Sequence, residues 1–425
     1  MKFSLTRLAN GMQVIVAPMP GMYSVAISVG IGVGSRHEQP VEAGSAHLIE
    51  HLLFKGTTRR PSAETISETI ERVGGMINAG TDKELTTLWA RTSGAHAAAA
   101  CDLLADMVLH SRLDAADLEK ERRVVLEELS MSLDAPQDWV HSLIDEQCWP
   151  GAAVGRDVLG TKESIAGLTR SRVLAFKDRA YQPENLVLSL AGAIETDAAL
   201  DLAERMFGHW RPDPQAALSP ESAAYERGIP SFVYEIRETE QVNLCLATAG
   251  VSHRSADRFA FDLLTAILGG GMSSRLFVEV RERNALAYDI HTYNSKLADT
   301  GSLVTYVAVD PENCRDVVSE VMRQLTRLRD EPVPEAELEK VKDYCKGRLL
   351  LGLEDTQSVA GWCGEQQQLH GEIQLPEEVC AALDRVSRAD IQRLAGDCFR
   401  DEYVRLAALG PSGGARGLES ALRLG

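Results

Sequence analysis

The sequence predicts an α+β chain of two homologous domains in tandem, each a largely antiparallel sheet covered by helices on one side. Three observations carry this. At 425 residues the chain exceeds one ordinary hydrophobic core and points to two domains of about two hundred residues each. Short alternating runs are interleaved with long amphipathic ones, the pattern of sheets packed with helices. The second half also repeats the first: Gln241–Gly250 resembles the strand beginning at Ser24, and Leu338-Glu339-Lys340 resembles Leu118-Glu119-Lys120 with similar surroundings. A period of domain size means two copies of one domain rather than a solenoid. Arg211–Ser222, rich in Pro and Ser, reads as a linker. The expected division is 1–212, a linker at 213–229, and 230–425.

Element by element, Met1–Met12 with its Asn10-Gly11 pair predicts strand, turn, strand rather than a signal peptide. Val25–Gly34 alternates large and small residues as a strand does. A helix through His47 follows, then a second amphipathic helix from about Ala63 to Val73. Gly74–Thr81 and Leu85–Ala90 read as paired strands, and Ala95–His110 as an Ala- and Leu-rich helix. From Asp114, a fair N-cap with acidic residues in the first turn after it, a long helix runs past Leu129.

A formal charge of -18 makes nonspecific nucleic-acid binding unfavourable, because a phosphate backbone would be repelled. It favours solubility, and cationic peptides are a compatible partner. With 44% hydrophobic and 25% charged residues, and no apolar run approaching the roughly 18 residues of a membrane span, the composition is that of a globular protein without a membrane anchor. Eight cysteines scattered singly, with no Cys-x-x-Cys pair, predict free thiols in a reducing compartment, with the cytoplasm as the expected location.

The densest chemistry is His47-Leu48-Ile49-Glu50-His51. On a helix His47 and His51 lie one turn apart on the same side and can grip one metal ion. Glu50 points into nearly the same space, free to act as a base on a metal-bound water. The order His-x-x-Glu-His is the inverzincin pattern, but the pair needs a third ligand. On the helix after Asp114, at about 100° per residue, Leu118, Val125, Leu129 and Leu133 share a face and Glu127 points away from it. Glu121 and Glu128 lie within about 20° of each other on the edge of that stripe. Glu128 is therefore the expected third ligand and Glu121 its neighbour, the alternative being that all these acids face solvent. In the second copy Leu264, Ile267 and Leu268 stand where His47, Glu50 and His51 do, and Arg348 where Glu128 does. The set is replaced as a group, as a site would be.

On these residues the chain resembles the pitrilysin family of zinc peptidases, and within it the mitochondrial processing peptidase branch, over essentially its whole length. Phe54–Thr57, Asn78-Ala79 with Thr81, Glu127–Met131 and Leu159–Thr161 match as well. The resemblance implies one zinc per chain held by His47, His51 and Glu128, Glu50 as general base, and Glu121 orienting a ligand. It implies that Asn78 and Ala79 sit on a strand that pairs with extended substrate, although an ordinary interior strand is the alternative. Gly269, Gly270 and Gly271 match the family's glycine-rich loop, and Arg281 with Tyr288 its arginine and tyrosine pair, which assists binding of the scissile carbonyl. Ala285 departs from the usual glycine. The family's architecture implies a peptide-hydrolysing chamber made by two chains: a homodimer, or a heterodimer with a related chain. The competing reading is a noncatalytic partner or scaffold subunit. Neither residues nor resemblance identify the substrate.

Overall fold

The computed structural model describes residues 2–216, 218 and 220–424; Ala217 and Ser219 of the expected linker, with Met1 and Gly425, lie outside the described residues. The strands are β1 (Ser4–Arg7), β2 (Gln13–Pro18), β3 (Ser24–Ile31), β4 (Met76–Thr81), β5 (Thr86–Ser93), β6 (Leu186–Gly192), β7 (Ser231–Ile236), β8 (Val242–Ala249), β9 (Ala287–Lys296), β10 (Gly301–Val309) and β11 (Arg405–Gly410). The helices used below are α1 (Ser45–Leu53), α2 (Ala63–Glu71), α3 (Ala97–His110), α4 (Ala115–Asp134), α5 (Pro136–Cys148), α6 (Lys162–Gly167), α7 (Arg170–Ala180), α8 (Thr196–Phe207), α9 (Arg258–Gly269), α10 (Cys314–Asp330), α11 (Glu335–Gly352) and α12 (Thr356–His370).

The chain forms two compact units, and neither is continuous. One gathers Met1–Leu129, Asp157–Glu221 and Leu350–Leu375; the other gathers Ser130–Arg156, Ser222–Leu349 and Pro376–Gly425. The crossing at Glu221 falls within the expected linker. Residues 130–156 and 350–375 depart from the linear division at 1–212 and 230–425, because each half of the chain gives a helical segment to the unit built on the other half's sheet.

In the first unit the sheet order is β1-β2-β6-β3-β5-β4, antiparallel except for the β2/β6 pair. The predicted N-terminal hairpin is present, Ser4 opposite Val16, with Gly11 at φ +96° in its turn. The predicted β4/β5 pair sets Asn78 opposite Trp89. Val14, Val16, Ile27 and Leu88 face a core shared with Leu48 and Leu52 of α1 and Leu104 of α3. The other pleat, Ile15, Ala17, Ala26 and Ala191, packs on Val359, Ala360 and Cys363 of α12. Helices therefore cover this sheet on both faces, which corrects the one-sided expectation. The physical sign is that β6 is buried at every position instead of alternating.

The second unit has the order β7-β11-β8-β10-β9, again with one parallel pair, β7/β11. Val140, Ile144 and Cys148 of α5 pack on Cys245, Ala247, Ala407 and Leu409 of this sheet. The order matches β2-β6-β3-β5-β4 of the first sheet strand for strand, parallel pair included. All eight cysteines are free and six are buried. No helix among the described residues is long and apolar enough to cross a membrane.

Candidate metal centre

The site is built on α1. Its N-terminus is held by the buried Glu38, whose carboxylate accepts hydrogen bonds from the backbone N–H of Gly44 (2.8 Å) and Ala46 (2.7 Å), satisfying otherwise orphaned donors with a charge the helix end favours. Gly44 sits at φ +89°, and a Cβ there would lie 2.6 Å from the Leu159 carbonyl oxygen, so only glycine fits this entry to the helix. Leu48, Ile49, Leu52 and Leu53 point into the core. His47, Glu50 and His51 are left together on the half-buried side. On α4 the buried residues are Leu118, Glu121, Val125 and Leu129, while Glu127 is exposed, as the helical phase predicts.

His47, His51 and Glu128 converge, with one donor atom from each inside 4.8 Å of the others. Glu128 Oε2 lies 3.8 Å from His47 Nε2 and 3.5 Å from His51 Nε2. Ligand bonds of about 2.0–2.1 Å to a tetrahedral centre put ligand atoms roughly 3.3 Å apart, so this spacing is close to that of a zinc set. Two imidazoles with one carboxylate also have the right chemistry for zinc with a fourth position open. Burial, with His51 alongside, lowers the His47 imidazole to about 4, so its ring is neutral at pH 7 and a lone pair is available. The residues present fit the ion.

Glu50 stands beside this set. Thr81 Oγ1 donates to its Oε2 at 2.6 Å. Burial raises the Glu50 carboxyl above its ordinary range and the Glu128 charge adds to that, while the Thr81 hydrogen bond and His51 oppose it. A carboxylate raised in this way is a better proton acceptor. Glu121 is buried and its Oε2 lies 3.2 Å from His51 Nδ1. With the proton on Nδ1, His51 donates to Glu121 and leaves its Nε2 lone pair towards Glu128. Lys55 Nζ lies 2.9 Å from the other oxygen, Oε1. The sequence flagged Thr81 and Lys55 only as members of segments that match the family; their contacts join residues 31 and 66 positions apart, beyond any local periodicity.

The other expected site residues fall as follows. Asn78 and Ala79 lie on β4, the terminal strand of the first sheet, paired on one side to β5. In the second unit, Gly269 closes α9 with the place of its missing Cβ 2.2 Å from Thr292 Oγ1, and the Gly270 carbonyl accepts from the Tyr344 hydroxyl at 2.6 Å. A Cβ on Gly271 would meet the ring and hydroxyl of Tyr344, nearest at 3.5 Å, an ordinary contact. Arg281 lies on a π-helical turn, Phe277–Arg283, with its guanidinium 4.8 Å from the centre of the Tyr288 ring, and Tyr288 is 77% exposed. The pair is thus joined by a cation–π contact. Ala285 adopts φ +49°, the left-handed conformation that glycine would take without strain.

Comparison with known proteins agrees with this geometry. Residues 13–162 match the family description Insulinase (Peptidase family M16), and residues 167–345 match Peptidase M16 inactive domain. The chain is 36% identical over 408 residues to an uncharacterized zinc protease, YmxG, of Bacillus subtilis, covering 95% of this chain and 97% of that one. It is 35% identical over 419 residues to an uncharacterized zinc protease of Mycobacterium tuberculosis, covering 98% and 95%. Among solved structures it shares its fold with a protease from Helicobacter pylori (TM-score 0.91, 23% identity, covering 96% of this chain and 99% of that one). It also shares it with a peptidase M16 inactive domain from Pseudomonas fluorescens (TM-score 0.89, 19% identity, covering 97% and 99%). With both halves matched and 36% identity over 95% of the chain to a named zinc protease, the chain belongs to peptidase family M16, the pitrilysin family of zinc metallopeptidases.

Proposed function

We propose that this chain is a zinc-dependent endopeptidase that hydrolyses unfolded peptides or precursor segments, holding one zinc ion through His47, His51 and Glu128. The observation that carries the reading is the meeting of those three donors with Glu50 alongside. Zinc bound there supplies Lewis acidity, which makes water a nucleophile near neutral pH and polarises a carbonyl. Glu50 takes the proton from the attacking water and passes it to the leaving amine, a task favoured by its raised pKa. Thr81 occupies Oε2 and fixes which way the carboxylate faces. Glu121 orients His51. Extended substrate adds to the β4 edge at Asn78 and Ala79, on a terminal strand where the Ala79 N–H now donates to Asn78 Oδ1 at 2.9 Å and would exchange that partner for the substrate backbone. Glu50→Gln should abolish cleavage of a mixed peptide library read by mass spectrometry while leaving bound zinc nearly unchanged; undiminished turnover would refute the assigned role.

Two chains form the working chamber in this proposal, as a homodimer or with a related partner, and Arg281 and Tyr288 of one chain serve the zinc set of the other. The exposure of Tyr288 supports a role outside its own core. The processing-peptidase-like branch and a cytoplasmic location complete the reading. The second reading is a noncatalytic partner or scaffold subunit, favoured by one observation: a chain of Complex III2 from Candida albicans shares the fold at TM-score 0.84 and 19% identity. Metal analysis of the purified protein separates the two, since the scaffold reading requires no zinc.

A further inference from the structure

Lys55 meets the metal set through another side chain. Its Nζ lies 2.9 Å from Glu121 Oε1, and Glu121 Oε2 lies 3.2 Å from His51 Nδ1. The Glu121 side chain is only 7% exposed, and the Lys55 side chain 32%. A buried carboxylate with one oxygen unpaired is costly and free to rotate towards any other donor. Lys55 removes that freedom, so that the second oxygen stays on His51.

The backbone carrying Lys55 is held at both ends. Its N–H donates to the Leu52 carbonyl at 3.1 Å, as the last turn of α1 tightens. Two residues on, Thr57 Oγ1 donates to Asp106 at 2.6 Å, and Arg59 and Arg60 bind the same fully buried carboxylate at 2.9 and 2.6 Å. Thr58 N–H donates to the His110 carbonyl at 3.1 Å.

The second half of the chain supplies an internal control. With His51 matched to Leu268 and Leu118 to Leu338, Glu121 matches Val341 and Lys55 matches Met272. Where the imidazole is gone, the carboxylate and the lysine are gone with it. Met272 is 78% exposed, so its place in the loop imposes no burial that would exclude lysine. Lys55 therefore goes with the site rather than with the scaffold.

We propose that Lys55 is a positioning residue for His51, acting through Glu121. The inference rests on the zinc-peptidase reading. Its test is the zinc affinity of the full-length protein, measured by competition with a chromophoric chelator and zinc ion alone. Removing an outer partner of a metal-bound histidine costs about 10–100-fold in affinity, and Lys55→Met should fall near the lower end, about tenfold. Lys55→Gln should behave alike, and Lys55→Arg should stay within about threefold of wild type because it keeps a charged donor. In a Glu121→Gln background, Lys55→Met should have no further effect. Wild-type affinity in both Lys55→Met and Lys55→Gln overturns the inference. Independent losses in the double variant overturn it also, as does a raised KM for a cleaved peptide with zinc affinity unchanged, which would place Lys55 on the substrate. A wild-type chain that takes up no zinc overturns the peptidase reading and this inference together, whereas the other results overturn this inference alone.

Discussion

Helices α1 and α9 follow matching strands, β3 and β8, in two sheets of the same strand order, yet one carries a metal set and the other a core. His47, Glu50 and His51 are half-buried, while Leu264, Ile267 and Leu268 at the same places are fully buried. Each of those three apolar side chains contributes about 1.5–3 kcal/mol by leaving water. The first helix forgoes that gain and keeps polar groups that need partners: Thr81 for Glu50, Glu121 for His51. On α4 and α11 the same exchange sets Glu121 against Val341 and Glu128 against Arg348. One backbone arrangement thus serves either stability or chemistry, and the choice lies in a handful of side chains.

The most severe way to break the comparison is to give α1 the residue that α9 has. His51→Leu should lose zinc and reduce peptide cleavage by about three orders of magnitude or more, with helical circular dichroism kept. A variant that retains stoichiometric zinc would show that the two helices differ less than their side chains imply.

A second test asks whether the two halves cooperate between chains. Tyr288→Phe should cut the rate about a hundredfold through loss of one hydrogen-bond donor at the scissile carbonyl. Mixed with the inactive Glu50→Gln chain under conditions of subunit exchange, it should recover up to about one quarter of wild-type activity, since half the dimers then carry one complete site of two. Absence of recovery when exchange is verified would count against a shared site.

Acid sharpens the comparison further. His47 stays neutral in the folded, metal-free chain down to about pH 4, whereas in the unfolded chain it takes up a proton near 6.5. Between those values the unfolded state binds more protons, so stability falls as pH is lowered from about 6.5 to 4 and levels off below that, by on the order of 3 kcal/mol from this one group. Leu264 contributes no such slope. The Tm of metal-free His47→Leu should therefore fall less than that of wild type on going from pH 7 to 4.5, the remaining slope including His37, which burial also lowers to about 4. Equal slopes would mean that His47 is not buried neutral.

The smallest effect belongs to the Arg281 turn. Ala285→Gly relieves about 1–2 kcal/mol of left-handed strain and forfeits about 0.5–1 kcal/mol of backbone entropy. A net gain of about 0.5 kcal/mol in denaturant unfolding is expected, with zinc content unaltered.

Much of this site is legible in the sequence. The spacing of His47 and His51 places them on one side of any helix, and helical phase alone separates Glu128 from the outward Glu127. The repeat then marks the whole set by what replaces it. Lys55 and Thr81 could be noticed in segments that match the family but not assigned, since a contact from Lys55 to Glu121 depends on how α1 and α4 pack. The destinations of α5 and α12 were hidden for a similar reason: an amphipathic helix declares that it has an apolar face, not which sheet that face meets. A sign was present in Ile15, Ala17, Ala26 and Ala191, apolar on the pleat opposite the main core, which require a second cover.

That second cover has a bearing on biosynthesis. The residues that close the open face of the first sheet lie between 356 and 370, after every strand of the second sheet except β11. A nascent polypeptide halted after residue 212 would present Ile15, Ala17, Ala26, Val187 and Ala191 to water on a ready-made sheet surface. The half that carries the metal set thus keeps an apolar sheet face open until α12 has been made, long after its own six strands.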